Sequence, residues 1–289
     1  MKLLNLISKI ENKILHMSLE PVYMNNELKN LYSTFPIDCM IKGLNAVVTG
    51  GGSGIGLAVA KMLLSQGCNV VIVGSNKKKL EDVVTNFPCT NIHLSCWDLR
   101  ETSEIEKNYN YICSLFEKKK VDIWVNCHGI YTEWDNKRNF RNVPIEDLKS
   151  TLNLNCCSTA LIAEYVANKM LAEKNRIGHI LNISSICAST KNAVYTPYGL
   201  SKAGIFNITR NLAQKFERQN VIINAIAPGA VATKFIYNID QSTNIAYASN
   251  ILKRYMLPEE IAALILMMVS PFGNHLNGAV LTISACERI

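Results

Sequence analysis

Charge is scarce in this chain: acidic and basic residues together occupy 18% of its 289 positions. Disordered chains carry more charge than this, and 48% hydrophobic residues suffice to fill a substantial core. Long apolar runs are absent too. The longest, residues 261–269, falls well short of the ~20 residues that span a bilayer. No helix-turn-helix, zinc-finger or aromatic-basic pattern occurs, which excludes the usual nucleic-acid readers. The net charge of +7 is spread along the chain and suits an anionic small ligand instead. Cysteine is plentiful at ten residues, but no two stand in a CxxC pair, so zinc-site and thioredoxin-like patterns are missing. Most cysteines (Cys68, Cys96, Cys113, Cys127, Cys156, Cys157, Cys187) fall inside expected strands and helices. They are expected to act as small hydrophobes in a reducing, cytoplasmic compartment.

Residues 1–42 form an N-terminal extension. Leu3, Leu6, Ile7, Ile10 and Ile14 recur at helical spacing, so part of it is expected to be an amphipathic helix. Polar residues interrupt that stripe too often for a signal peptide. The lack of arginine in this stretch and the presence of Glu11, Glu20 and Glu27 disfavour a mitochondrial presequence, with targeting or membrane contact the lesser alternative. Packing on the domain or on a partner subunit is the expectation. Residues 43–289 read as a single domain. Short apolar runs at 44–49, 69–73, 91–95, 121–126, 179–183, 221–227 and 279–283 alternate with amphipathic stretches such as 55–66, 148–171 and 198–219. Buried β-branched runs separated by helices predict an α/β, Rossmann-like, doubly wound parallel sheet of about seven strands with helices on both faces.

Two local patterns carry chemistry. The first strand runs directly into Thr49-Gly50-Gly51-Gly52-Ser53-Gly54-Ile55-Gly56 and then into a helix. Glycines there permit a tight turn and let backbone amides approach a pyrophosphate at the helix N-terminus. Farther on, Tyr198 and Lys202 stand four residues apart, and Ser185 lies thirteen residues before the tyrosine. A tyrosine ordinarily titrates near pH ~10 and is a poor acid–base catalyst at neutrality. Four residues apart on a helix share a face, so the Lys202 ammonium can favour the Tyr198 phenolate. Ser185 ends an apolar run, at the carboxyl edge of a strand, where doubly wound sheets bind ligands.

On these motifs the chain from about residue 44 to 283 resembles the classical short-chain dehydrogenases/reductases. Thr49, Gly50, Gly54 and Gly56 match the spaced TGxxxGxG turn of that family, and Gly52, Ser53 and Ile55 complete it here. The resemblance implies a catalytic tetrad of Asn155, Ser185, Tyr198 and Lys202. It also implies cofactor contacts from Asp98 (to adenine), Leu99, Asn126 and Gly129, and from Tyr198 and Lys202. Pro228, Gly229, Val231 and Thr233 match the family's PGxVxT turn, in which the threonine meets the nicotinamide carboxamide. Asn126-Cys127-His128-Gly129 departs from the family's Asn-Asn-Ala-Gly at two positions. His128 reads either as a titrating group beside the site or as a hydrogen-bonded wall residue. Residues 234–257 lack a strong pattern and match the place of the family's substrate lid. Ser284-Ala285-Cys286 replaces the usual Asp-Gly-Gly end, in a region that contributes to subunit contacts in relatives.

No carboxylate follows the second strand to meet a ribose 2′-hydroxyl. Ser75 and Asn76 stand there before Lys77, Lys78 and Lys79, whose charges oppose the helix macrodipole; an anion docked on them would remove that conflict, and a solvated face is the other reading of the run. NADP(H) is therefore favoured, with NAD(H) the alternative. The expected function is hydride transfer between a nicotinamide and a carbonyl or secondary-alcohol substrate, of 3-oxoacyl reductase or sugar/polyol dehydrogenase type. A catalytically idle nucleotide-binding or scaffold protein is the competing reading. Neither a metal, nor nucleic acid, nor a membrane span is expected, and the family suggests a homodimer or homotetramer.

Overall fold

The computed structural model describes residues 40–87, 89–131, 143–171, 177–189, 197–234, 251–252 and 254–284. The expected N-terminal helix and most of the expected lid at 234–257 lie outside the described residues. In chain order the elements are β1 (Asn45–Thr49), α1 (Gly54–Ser65), β2 (Asn69–Gly74), α2 (Lys77–Thr85), β3 (Ile92–Cys96), α3 (Ile105–Ser114) and β4 (Ile123–Asn126). They continue with α4 (Ile145–Leu152), α5 (Ser158–Leu171), β5 (Gly178–Ile183), α6 (Pro197–Lys215), β6 (Val221–Pro228), α7 (Pro258–Met268) and β7 (Val280–Ile283). The seven strands make one parallel sheet in the order β3-β2-β1-β4-β5-β6-β7.

Alternation along the central strands divides the core into two layers, because successive side chains point to opposite faces. Ala46 and Val48 of β1, with Val70 and Ile72 of β2, pack against Val59 and Leu63 of α1 and Ile261 and Ile265 of α7. Val47, Val71 and Val73 face the other way, toward Ile112 of α3, Ile162 and Val166 of α5 and Leu212 of α6. Every residue of β1, β4, β5 and β6 is buried, polar ones such as Asn45, His179, Asn182 and Asn224 included, so these strands have no exposed face. The edge strand β7 differs: Leu281 and Thr282 are exposed, because a sheet edge has no further strand beside it.

Two sequence expectations change in the fold. The stretch 148–171 is not one regular helix: a π turn at Asn153–Cys157 separates α4 from α5. Burial of the cysteines is also less general than their apolar neighbours imply. Cys68 and Cys113 are buried, whereas Cys89, Cys96, Cys157 and Cys187 are exposed, since they lie at strand ends, in turns or on outer helix faces. All eight described cysteines are free thiols.

Strand order places the site. From β1 the chain moves outward on one side to β2 and β3, then crosses back to β4 on the other. The two halves part between β1 and β4, and a crevice opens above their carboxyl ends. Thr49, the last residue of β1, pairs there in register with Asn126, the last residue of β4.

Candidate active site

A cleft of about 610 Å³ occupies this crevice, floored by the glycine turn. Gly50 and Gly54 adopt φ of +66° and +53°, the left-handed region that side chains disfavour. A Cβ on Gly56 would sit 2.4 Å from the Gly50 carbonyl oxygen, so only glycine lets α1 start so close to the turn. The N-terminus of α1 has no side-chain cap and no carboxylate in its first turn. Its free amides and positive dipole end therefore face the cleft, as a bound diphosphate requires. This cradle fits a dinucleotide.

One end of the cleft is walled by Ser75, Asn76, Lys79, Asp98, Leu99 and Arg100. Asn76 caps α2 by accepting the Lys79 amide at 2.9 Å, and the Lys79 ammonium donates to the Ser53 hydroxyl at 2.8 Å. A cation is thus held across the mouth of the glycine turn. The Asp98 carboxylate is engaged by the Arg100 guanidinium, with Nη2 2.8 Å and Nε 3.0 Å from its two oxygens. Hydrogen bonding to Arg100 holds the Asp98 carboxyl below its usual range. Trp97 and Arg100 line the cleft without having been singled out by any motif, and of the lysine run at 77–79 Lys79 alone lines it. Only the chain path brings them there.

The other end gathers Ser185, Tyr198 and Lys202. Lys202 is 3% exposed, and its ammonium donates to the Ile183 carbonyl at 2.8 Å. Burial pushes its pKa down to about 8, with nearby thiols opposing the shift. The ammonium stands 5.6 Å from the centroid of the Tyr198 ring, and the Tyr131 ring packs on the same phenol at 5.2 Å. Ser185 accepts the Cys187 amide at 3.2 Å, which fixes its oxygen at the end of β5. The adjacent Ser184 instead donates its hydroxyl to the Lys202 carbonyl at 2.7 Å, tying α6 to β5. Geometry therefore separates two adjacent serines, of which Ser185 is the one thirteen residues before Tyr198.

Thr49, Asn126 and Asn155 lie behind the cleft lining and support it. Asn126 accepts from the Trp124 indole at 2.8 Å and donates to Asn182 at 2.9 Å. Asn155, in the π turn, bonds both the amide and the carbonyl of Ile130, at 2.8 and 2.9 Å, and donates to Ser201 at 3.0 Å. Ser201 in turn donates to the Tyr198 carbonyl at 2.7 Å. The Asn155 carbonyl accepts the Thr159 hydroxyl at 2.9 Å. Buried polar groups need partners, and here the partners join β4, the π turn and α6. Cys127 is an inert thiol, pushed up to about 12 by burial. His128 is buried, and burial with the nearby Lys202 charge lowers its pKa to about 3, so it stays neutral at neutral pH.

On the far side, Gly229 donates to the Ile283 carbonyl at 2.7 Å, and Val231 forms an isolated bridge to Met256. These contacts hold Thr233 against the turn: its Cγ2 lies 3.2 Å from where a Gly54 Cβ would be. Tyr255 closes the wall beside it.

Comparison with known proteins agrees with this geometry. Residues 50–285 match the family model described as enoyl-(acyl carrier protein) reductase. A 3-oxoacyl-(acyl-carrier-protein) reductase FabG from Aquifex aeolicus is 29% identical over 86% of this chain and 98% of its own length. The 7alpha-hydroxysteroid dehydrogenase of Escherichia coli K12 is 30% identical over 84% of this chain and 94% of its own. Among solved structures, a short chain dehydrogenase/reductase family protein superposes with a TM-score of 0.74 at 26% identity, covering 84% of this chain and 97% of the other.

Proposed function

This chain belongs to the classical short-chain dehydrogenase/reductase family, and from that premise we propose that Ser185, Tyr198 and Lys202 carry its reaction, with Asn155 behind them. It is an oxidoreductase that works with a nicotinamide cofactor on a carbonyl or alcohol group. The nicotinamide supplies the hydride for reduction, or takes it up in oxidation. Tyr198 gives a proton to the carbonyl oxygen as it becomes an alkoxide. Ser185, its oxygen fixed by the Cys187 amide, donates a hydrogen bond to the same oxygen. Lys202 places a buried positive charge beside the phenol, where low dielectric strengthens its effect. Asn155 holds α6 at Tyr198 through Ser201 and holds the β4 loop through Ile130. Alcohol oxidation follows the same path in reverse. The observation that carries this reading is the convergence of Ser185, Tyr198 and Lys202 at the cleft end opposite Lys79.

The preference we propose is NADP(H). Lys79, bonded to Ser53 at the rim, and the absence of a carboxylate at Ser75 and Asn76 support it. In the same reading Asp98 and Leu99 border the adenine, and Gly129, Pro228, Gly229, Val231 and Thr233 border the nicotinamide end. The substrate class is that of 3-oxoacyl thioesters, with keto-steroids and keto-sugars as alternatives; the FabG and hydroxysteroid dehydrogenase relatives support the first two. Free thiols support a cytoplasmic setting, and the exposed Leu281 edge supports association as a homodimer or homotetramer.

Turnover of NADPH against a panel of these three classes tests the reading. Tyr198→Phe is expected to bind NADPH as the parent does and to lose at least about a hundredfold in kcat. Normal turnover by that variant would remove the mechanism.

A further inference from the structure

His128 replaces a small residue in the cleft wall, and the reaction above makes no use of its imidazole. Its ring is 7% exposed and meets three hydroxyl groups. Nδ1 lies 2.7 Å from Thr49 Oγ1; Nε2 lies 3.0 Å from Ser158 Oγ and 3.1 Å from Thr159 Oγ1.

The position of the ring proton follows from where the hydroxyl protons go. Ser158 donates to the Leu154 carbonyl, and Thr159 donates to the Asn155 carbonyl at 2.9 Å. Both oxygens therefore present lone pairs to Nε2, which must carry a hydrogen to meet them. Nδ1 is then the acceptor for the Thr49 hydroxyl, which lies 2.7 Å from it and 3.4 Å from its other acceptor, the Val125 carbonyl, while the Thr49 oxygen itself accepts the Cys127 amide at 3.2 Å. The alternative tautomer would set the Nε2 lone pair against two others in a buried site, which disfavours it.

The two serving hydroxyls sit at a weak point of the fold. In the π turn Asn153–Cys157 the Ser158 amide reaches back five residues, to Asn153. Such a turn disturbs the regular ladder, and these hydroxyls take up carbonyls around it. Hydrogen bonds link Thr49 through His128 and Thr159 to the backbone carbonyl of Asn155, and from the Asn155 side chain a second pair runs through Ser201 to the Tyr198 backbone carbonyl.

We propose that His128 is a positioning residue: a neutral imidazole, protonated on Nε2, that locks the π turn carrying Asn155 to the Thr49 end of the glycine turn. The proposal rests on the assignment of Asn155, Tyr198 and Lys202 to the reaction. It acts on turnover through Asn155 and takes no proton from substrate. The low pKa of the ring is consistent with a group that never charges during the reaction.

Two substitutions divide the ring's functions. His128→Asn keeps an acceptor at the Nδ1 position and loses the donor to Ser158 and Thr159; His128→Gln places an amide donor near the Nε2 position. With NADPH and the panel compound that the parent turns over, His128→Asn is expected to lower kcat at least about tenfold with NADPH affinity within about threefold. His128→Gln recovers most of that loss. Thr159→Val, which deletes the hydroxyl on the Asn155 carbonyl, reproduces the His128→Asn defect and serves if that variant fails to fold. Independently, ¹⁵N NMR of histidine-labelled protein reads the tautomer, with His128 assigned by its disappearance in either variant. The expected spectrum has a protonated Nε2 and a bare Nδ1, unchanged between about pH 5 and pH 8. An Nδ1-protonated or titrating ring overturns the proposal, as does undiminished kcat in His128→Asn or equal impairment of the Asn and Gln variants. Normal turnover in Tyr198→Phe would instead overturn the reaction reading, and the NMR result would stand apart from it.

Discussion

A drop from about pH 7 to about pH 5 crosses the ordinary histidine pKa of ~6.5, and two imidazoles in this fold are held far below it. Burial pushes His128 to about 3 and His179 to about 4, with an Asn274 hydrogen bond partly opposing the second shift. His179 lies in β5 at 6% exposure, and its Nδ1 has no hydrogen-bond partner among the described residues. Both folded values lie below the unfolded one, so the unfolded chain binds more protons across this window. Stability is therefore full above about pH 6.5 and falls as acid is added, until the folded pKa values are reached. At about pH 5 an unfolded histidine is ~1.5 units below its pKa while both native rings remain neutral. At ~1.36 kcal/mol per unit, each then costs about 2 kcal/mol of stability. Neither ring is exposed enough for solvent to reduce that figure by much. Urea unfolding at several pH values, for the parent and for His128→Asn and His179→Asn, reads the effect. Each variant should lose about 2 kcal/mol of the decline between the two pH values, whatever its absolute stability. Parallel stability–pH curves for parent and variants would refute the reasoning.

Three further outcomes are expected. Gly56→Ala drives a methyl to within 2.4 Å of the Gly50 oxygen, so it should cost about 1–3 kcal/mol and weaken cofactor binding in a fluorescence titration. Lys79→Ala should weaken NADPH at least about fivefold and leave NADH nearly unchanged, since its ammonium sits at the rim beside Ser53. Arg254 is buried and grips Glu260 through two bonds of 2.6 Å, while Glu260 also accepts the Leu257 amide and caps α7. Removing one partner strands a buried charge, so Arg254→Met should cost about 3 kcal/mol and lower the melting temperature.

Parallel-sheet architecture was legible in the sequence because its cause is local and repeated. Apolar runs such as Val70-Val71-Ile72-Val73 have no polar face, and only a sheet covered on both sides buries them. The glycine turn was legible for a similar reason: Gly50, Gly54 and Gly56 each answer a backbone demand that no other residue meets as well. The spacing of Tyr198 and Lys202 on one helix follows from helical geometry alone. Arg100 carries no such mark, and Lys79 is marked only by its place in a run of three lysines. Their roles depend on α2 and the turn after β3 arriving beside the cleft, which is a property of strand order.

The amino-acid sequence by itself thus determined the sheet, the cradle and the phenol–ammonium pair, since each is encoded within a few consecutive residues or a fixed helical interval. Tertiary structure alone decided what stands behind them. It tied Ser184 to the Lys202 carbonyl of α6 and set Asn155 against Ile130 and Ser201, 25 and 46 residues away. It also made a neutral strut of His128, whose partners Thr49 and Ser158 come from 79 and 30 residues away. Hydrogen bonds of that range depend on how strands and helices meet, and no local pattern records them.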